Sequence, residues 1–124
     1  MKQPEIGAAD VLYHGLRTAK YPFDKSPIDE QQVALCREWI TRFTVPTANL
    51  NRTTDSYNLK HDVERWAKKY ISTGAFIIAA IREGYRSEPC PTDQRDVVFN
   101  LRIQKVALRQ ATAIQAKTSY NQSK

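Results

Sequence analysis

Apolar positions fall into four blocks that repeat every three or four residues, the spacing of one buried face on a helix. Val11, Leu12 and Leu16 lie inward on a predicted helix from near Gly7 to Ala19, with Gly15 as a weak point inside it. Tyr21-Pro22-Phe23-Asp24-Lys25 breaks that pattern. A second helix opens at Ser26 as its cap, with Pro27 in the first helical position and Asp29 three residues after the cap. Its stripe is Val33, Cys36, Ile40 and Phe43, widened by Leu35 and Trp39, and Pro46 ends it. Thr44 to Arg52 reads as a loop. A third helix runs from Asp55 or Ser56 to Tyr70 on the stripe Leu59, Val63, Trp66 and Tyr70. A fourth follows from Gly74 to Glu83, capped by Ser72 or Thr73 and stopped by Gly84. It is apolar nearly all round, which marks a buried central helix.

The end of the chain carries two conflicting periods. Val97, Phe99, Leu101 and Ile103 alternate with Val98, Asn100, Arg102 and Gln104, as in a strand. Gln104 to Lys117 is rich in Ala and Gln and reads as helix. The preceding stretch from Tyr85 to Pro91 reads as an exposed, rigid loop, so no partner strand is in view and helix is favoured over most of Asp93–Lys117. The expectation is a mainly α, single-domain bundle of about five helices over residues 1–124, with a frayed tail from about 119. One short strand near 97–103 is the alternative. Its predicted core is Val33, Cys36, Trp39, Ile40, Phe43, Leu59, Val63, Trp66, Phe76, Ile77, Ala80 and Ile81.

Composition narrows the class. The chain has 124 residues, 41% of them hydrophobic, and only four glycines, which favours long regular elements over a turn-rich β fold. Its longest apolar run, Ala75 to Ile81, is far short of a membrane span. The N-terminal Met1-Lys2-Gln3-Pro4-Glu5 has no apolar leader, which favours the cytoplasm. There Cys36 and Cys90 are expected as reduced thiols.

Charge supplies the candidate binding residues. The net charge is +6, and Val97 to Lys124 holds five Lys or Arg without an acid. On a helix, Arg102, Lys105 and Arg109 line one face, with Arg95 extending the row. Arg65, Lys68, Lys69, Arg82 and Arg86 make a second basic patch. Such faces meet phosphates or an acidic partner without specifying sequence.

Catalytic signals are weak. His61 and Glu64 can touch on one helix, Asp62 points elsewhere, and nothing at helical spacing completes a triad. His14, His61, Cys36 and Cys90 are too scattered to predict a metal site, and no glycine-rich phosphate loop occurs. The expectation is a protein without catalysis or cofactor. The third and fourth helices with their short turn invite a helix-turn-helix reading. Against it, only Arg82 on the fourth helix could read base edges.

The words Ser56-Tyr57-Asn58-Leu59-Lys60-His61 and Tyr70-Ile71-Ser72-Thr73-Gly74-Ala75-Phe76-Ile77, with Gly84-Tyr85 after them, complete the sequence evidence. They resemble an S-Y-x-L-K-H and Y-[VI]-S-x-G-x-[FL]-I signature of small uncharacterised proteins of phages, plasmids and integrated elements. Phe99-Asn100-Leu101 fits that pattern loosely. The first 50 residues and the C-terminal basic stretch lie outside it. The resemblance implies a bacterial mobile element. By analogy it implies an inhibitor of bacterial immunity, such as an anti-CRISPR protein, that binds a host defence protein or nucleoprotein complex. The alternative is a basic accessory or regulator of the element that binds DNA or RNA. Neither reading needs a membrane, and the oligomeric state stays open.

Overall fold

The computed structural model describes residues 6–105. A short 3-10 turn (Ala8–Asp10) leads into the hairpin β1 (Val11–Leu12) and β2 (Gly15–Leu16). Then come α1 (Glu30–Phe43), β3 (Thr44–Asn51), α2 (Ser56–Ala67), α3 (Thr73–Arg82), β4 (Ser87–Pro89) and β5 (Val97–Ile103). These elements make an α+β fold with two antiparallel sheets, which replaces the expected five-helix bundle.

The predicted helices with clear apolar stripes form. α1 begins at Glu30 because the Asp29 carboxylate accepts from the Gln31 and Gln32 amides at 2.8 and 3.4 Å, so Asp29 takes the capping role expected of Ser26. Asp55 caps α2 by accepting from the Asn58 amide at 3.0 Å. α2 ends before Tyr70, since Lys68 turns left-handed at φ 58°. The Ser72 hydroxyl caps α3 by accepting from the Ala75 amide at 3.1 Å.

α3 is buried from Thr73 through Ala80 and forms the centre of the packing. The Phe76 ring meets Trp39 of α1 at 6.1 Å and Phe99 of β5 at 5.6 Å, both nearly edge-on. Of the predicted core, Trp66 and Ile81 are half-buried against it, and the other ten residues are fully inside.

The strand period at residues 97–103 prevails over the helix expected there. Val97, Phe99 and Leu101 face inward, and β5 pairs on both sides, giving the order β3-β5-β4. Thr44 pairs with Ile103 and Pro46 with Leu101 on one side, and Ser87 with Phe99 on the other. Both partners lie in stretches read as loops. Proline hid them: Pro46 and Pro89 lack an N–H but sit on edge strands, where a missing donor is tolerated. The helix expected over 106–117, and the tail beyond it, lie outside the described residues.

The predicted first helix is a hairpin instead. Gly15 has φ +138°, which no helix accommodates, and a Cβ there would lie 2.5 Å from the Arg95 carbonyl oxygen. The hairpin docks through Leu16 N–H to the Arg95 carbonyl and Gly74 N–H to the Tyr13 carbonyl, each at 2.9 Å. Val11 and Leu16 face inward as the pattern implied.

Candidate binding surface

The strand at 97–103 rearranges the predicted basic row. Arg102 alternates with the buried Leu101 and so points outward from β5, while Lys105 follows the strand end. The two cations come together at one cleft, though not as neighbours on a helix face. Arg109 lies outside the described residues.

Arg95 leaves the row altogether. Its side chain is only 17% exposed. It donates to the Leu16 carbonyl at 3.2 Å and the Asp24 carboxylate at 3.1 Å, and its guanidinium stacks 4.4 Å from the Tyr21 ring centroid. Burial raises the Asp24 carboxyl, and the His14 amide and Arg95 outweigh it, so the net effect is downward. Arg95 is therefore a clamp between the N-terminal segment and β5.

The second patch also divides. Arg65 is paired with Asp62, one helical turn away. Arg82 grips Glu30 with two bonds of 2.6 and 2.9 Å, tying the end of α3 to the start of α1. Those bonds hold the Glu30 carboxyl below its ordinary range. Arg86 donates to the Ala48 carbonyl of β3. Lys68 and Lys69 are exposed and meet no carboxylate among the described residues.

The cleft holding Arg102 and Lys105 has a volume of about 640 Å³. A register shift between Pro46 and Asn51 interrupts the pairing of β3 with β5, which resumes where Asn51 meets Phe99. Asn51 then re-ties the chain. Its amide donates to the Leu101 carbonyl at 3.1 Å, and its side-chain oxygen accepts from the Thr53 amide at 3.0 Å and the Thr53 hydroxyl at 2.5 Å. Thr54 and Gln104 complete the polar wall, and the Gln104 backbone N–H donates to the Phe43 carbonyl at 2.7 Å. Among the described residues no carboxylate lines this cleft. A second cleft of about 470 Å³, beside Cys90, mixes Arg17 with Glu88. The sequence reading missed Asn51, Thr53 and Thr54. Their one signal was an Asn beside two Thr, a common turn composition.

The S-Y-x-L-K-H word is built into the fold at several points. The Ser56 hydroxyl donates to the buried Asp96 carboxylate at 3.0 Å and accepts from the Val97 amide at 2.9 Å, joining α2 to β5. Burial and the nearby Asp55 and Asp93 charges outweigh that hydrogen bond and push Asp96 up to about 6. His61 Nδ1 and Lys60 Nζ reach the same Glu64 oxygen, at 2.6 and 3.3 Å. The other Glu64 oxygen accepts from the Ile71 amide at 3.2 Å. Burial raises the Glu64 carboxyl, but the Ile71 amide and the Lys60 ammonium leave it below its ordinary value.

Cys36 and Cys90 are both free thiols, and burial pushes the Cys36 thiol up to about 12. Among the described residues no group of three His, Cys, Asp or Glu could hold a metal ion. No helix among them is long and apolar enough to cross a membrane.

No family model, curated protein or solved structure matches the chain.

Proposed function

We propose that this chain is a non-enzymatic binding protein of a mobile element, working in the bacterial cytoplasm as an inhibitor of immunity in the manner of an anti-CRISPR protein. It binds an effector complex through the nucleic acid that the complex holds. The observation that carries the reading is the cleft at the end of β3, which Arg102 and Lys105 line together with hydroxyl and amide groups and, among the described residues, with no acid. Two like charges in one concave site repel each other unless a negative group joins them. Phosphate oxygens fit that wall, since the guanidinium can bind them with two hydrogen bonds and the ammonium acts as a point charge. The resemblance to phage and plasmid proteins supports the choice of an immune complex as the target.

The accessory-protein reading stays as the alternative because the same cleft accepts phosphates of free DNA or RNA. It takes the form of backbone contact, since α3 is buried between α1 and β5 and presents no face to a groove.

The test is phage plating on a host with an active CRISPR system. Wild-type chain is expected to restore plating, and Arg102→Glu with Lys105→Glu to abolish that rescue while leaving the fold intact. Full immunity in the presence of folded wild-type protein would refute the inhibitor reading. Undiminished rescue by the double variant would refute the cleft.

A further inference from the structure

The exposed large apolar residues among those described are all aromatic: Tyr21, Phe23, Tyr57 and Tyr70. Two of them flank one lysine. The Lys60 ammonium lies 4.8 Å from the Tyr70 ring centroid and 5.7 Å from that of Tyr57. Tyr13 lies beside Tyr70 with the ring planes 21° apart and the centroids separated by 6.5 Å. Tyr57 and Tyr70 are 51% and 53% exposed, so each keeps open surface.

Rigid backbone positions these rings. Tyr57 is in the first turn of α2, and Tyr70 follows its left-handed end at Lys68. Tyr13 sits at the hairpin turn, where its carbonyl is held by the Gly74 amide. Lys60 is buried and its ammonium is fixed by Glu64. The unpaired charge next to Tyr70 in the chain is positive. Lys68 and Lys69 are exposed without carboxylate partners among the described residues, and His14 and His61 edge onto Tyr13 and Tyr57. Glu64 is engaged by Lys60, His61 and the Ile71 amide. A protein partner would be drawn by the rings alone; the lysines beside them add a preference for a polyanion.

We infer that Tyr13, Tyr57 and Tyr70 are a stacking platform for the unpaired bases of a single-stranded nucleic acid, with Lys68 and Lys69 on its phosphates. This inference rests on the reading that the cleft meets nucleic acid, and it names that nucleic acid as single-stranded. The two places are close along the chain: Thr54, which lines the cleft, is three residues before Tyr57. Tyrosine faces accept any base, because every base has a π-face, and a duplex keeps its own bases stacked and out of reach. Recognition here is therefore tolerant of sequence and selective for strandedness.

Fluorescence anisotropy with the purified chain tests it. The probe is a labelled oligothymidine of about a dozen nucleotides, the scale of known single-strand sites. A duplex and an abasic strand of the same length serve as comparisons, with oligouridine in parallel. The single strand is expected to bind at least about tenfold more tightly than the other two, and oligouridine to follow oligothymidine. Tyr57→Ala and Tyr70→Ala should each weaken it about 5- to 100-fold, while Tyr57→Phe and Tyr70→Phe keep the affinity. Arg102→Glu with Lys105→Glu should weaken all probes together. Equal binding of the single, abasic and double strands, unmoved by the tyrosine variants, would overturn the platform and leave the cleft standing. Binding unmoved by Arg102→Glu with Lys105→Glu would overturn the cleft. Binding to no polynucleotide by folded protein, or only to a purified effector stripped of its nucleic acid, would overturn both.

Discussion

Gly74→Ala separates packing from propensity, because the two predict opposite signs. Ala favours a helix over Gly by up to about 1 kcal/mol, so α3 alone would gain stability even in its first turn, where Gly74 sits. The structure predicts a loss. A Cβ at position 74 would lie 1.9 Å from the Leu12 carbonyl oxygen and 2.8 Å from the Ile28 methyl. The nearer atom is backbone, so the hairpin must back away from α3. That retreat breaks the 2.9 Å bond from the Gly74 amide to the Tyr13 carbonyl, leaving a buried donor unpaired at a cost of about 1–3 kcal/mol. It also unseats Val11 and Leu16, and overpacking of this kind costs about 1–3 kcal/mol. After the propensity gain, roughly 3 kcal/mol of destabilisation remains, a fall in melting temperature on the order of 10 °C. Urea unfolding of the two proteins measures it. A Gly74→Ala variant as stable as wild type, or more so, would refute the packing argument. Because Tyr13 moves with the hairpin, the surviving folded fraction should also bind single strands less well.

Other predictions follow from the same contacts. Asp96 is raised from the ordinary carboxylate value to about 6, so between roughly pH 4 and 6 the folded state holds a proton that the unfolded state has lost. Its contribution to stability is therefore full below that window and lost as the pH rises through it. Asp96→Asn keeps an acceptor for the Ser56 hydroxyl and should gain about 2 kcal/mol at pH 7 while flattening the pH 4–6 profile, as read by urea titrations at each pH. Arg95→Ala leaves Asp24 without its partner and frees the Tyr21 face, and should cost about 2–3 kcal/mol by the same assay. Ile77→Asp buries a charge without a partner at the centre of α3 and should yield no cooperatively folded protein by circular dichroism. Arg82→Ala should leave the urea midpoint close to that of wild type, because the Glu30 pair is exposed to solvent.

Much of the helical half was legible because α1 and α2 each bury one stripe and α3 is apolar nearly all round. Val33, Cys36, Ile40 and Phe43 recur at helical spacing and all go inside. The strands were not, for reasons that local pattern does not carry. β3 is an edge strand with mostly polar, half-open positions and a proline, and β4 is three residues ending in another proline. The period of β5 was visible, but a strand is credible only with partners, and both partners were concealed. In the hairpin, Val11, Leu12 and Leu16 fit helix spacing equally well, and only Gly15 pointed away. The basic residues show the same limit. Arg102 and Lys105 were singled out by charge, yet sequence spacing could not reveal that Asp24 takes Arg95 and Glu30 takes Arg82. Partners 52 and 71 positions distant follow from topology alone, whereas Arg65 and Asp62 share a helix and could have been paired in advance.

The salt dependence of nucleic-acid binding tests the central claim most directly. Anisotropy titrations of a labelled single strand at several salt concentrations, with wild type and with Arg102→Ala plus Lys105→Ala, give the slope of log affinity against log salt. Each cation on a phosphate contributes about 0.7 to that slope for single strands, so losing both should make it shallower by about 1.4. An unchanged slope and affinity in a folded double variant would contradict the account.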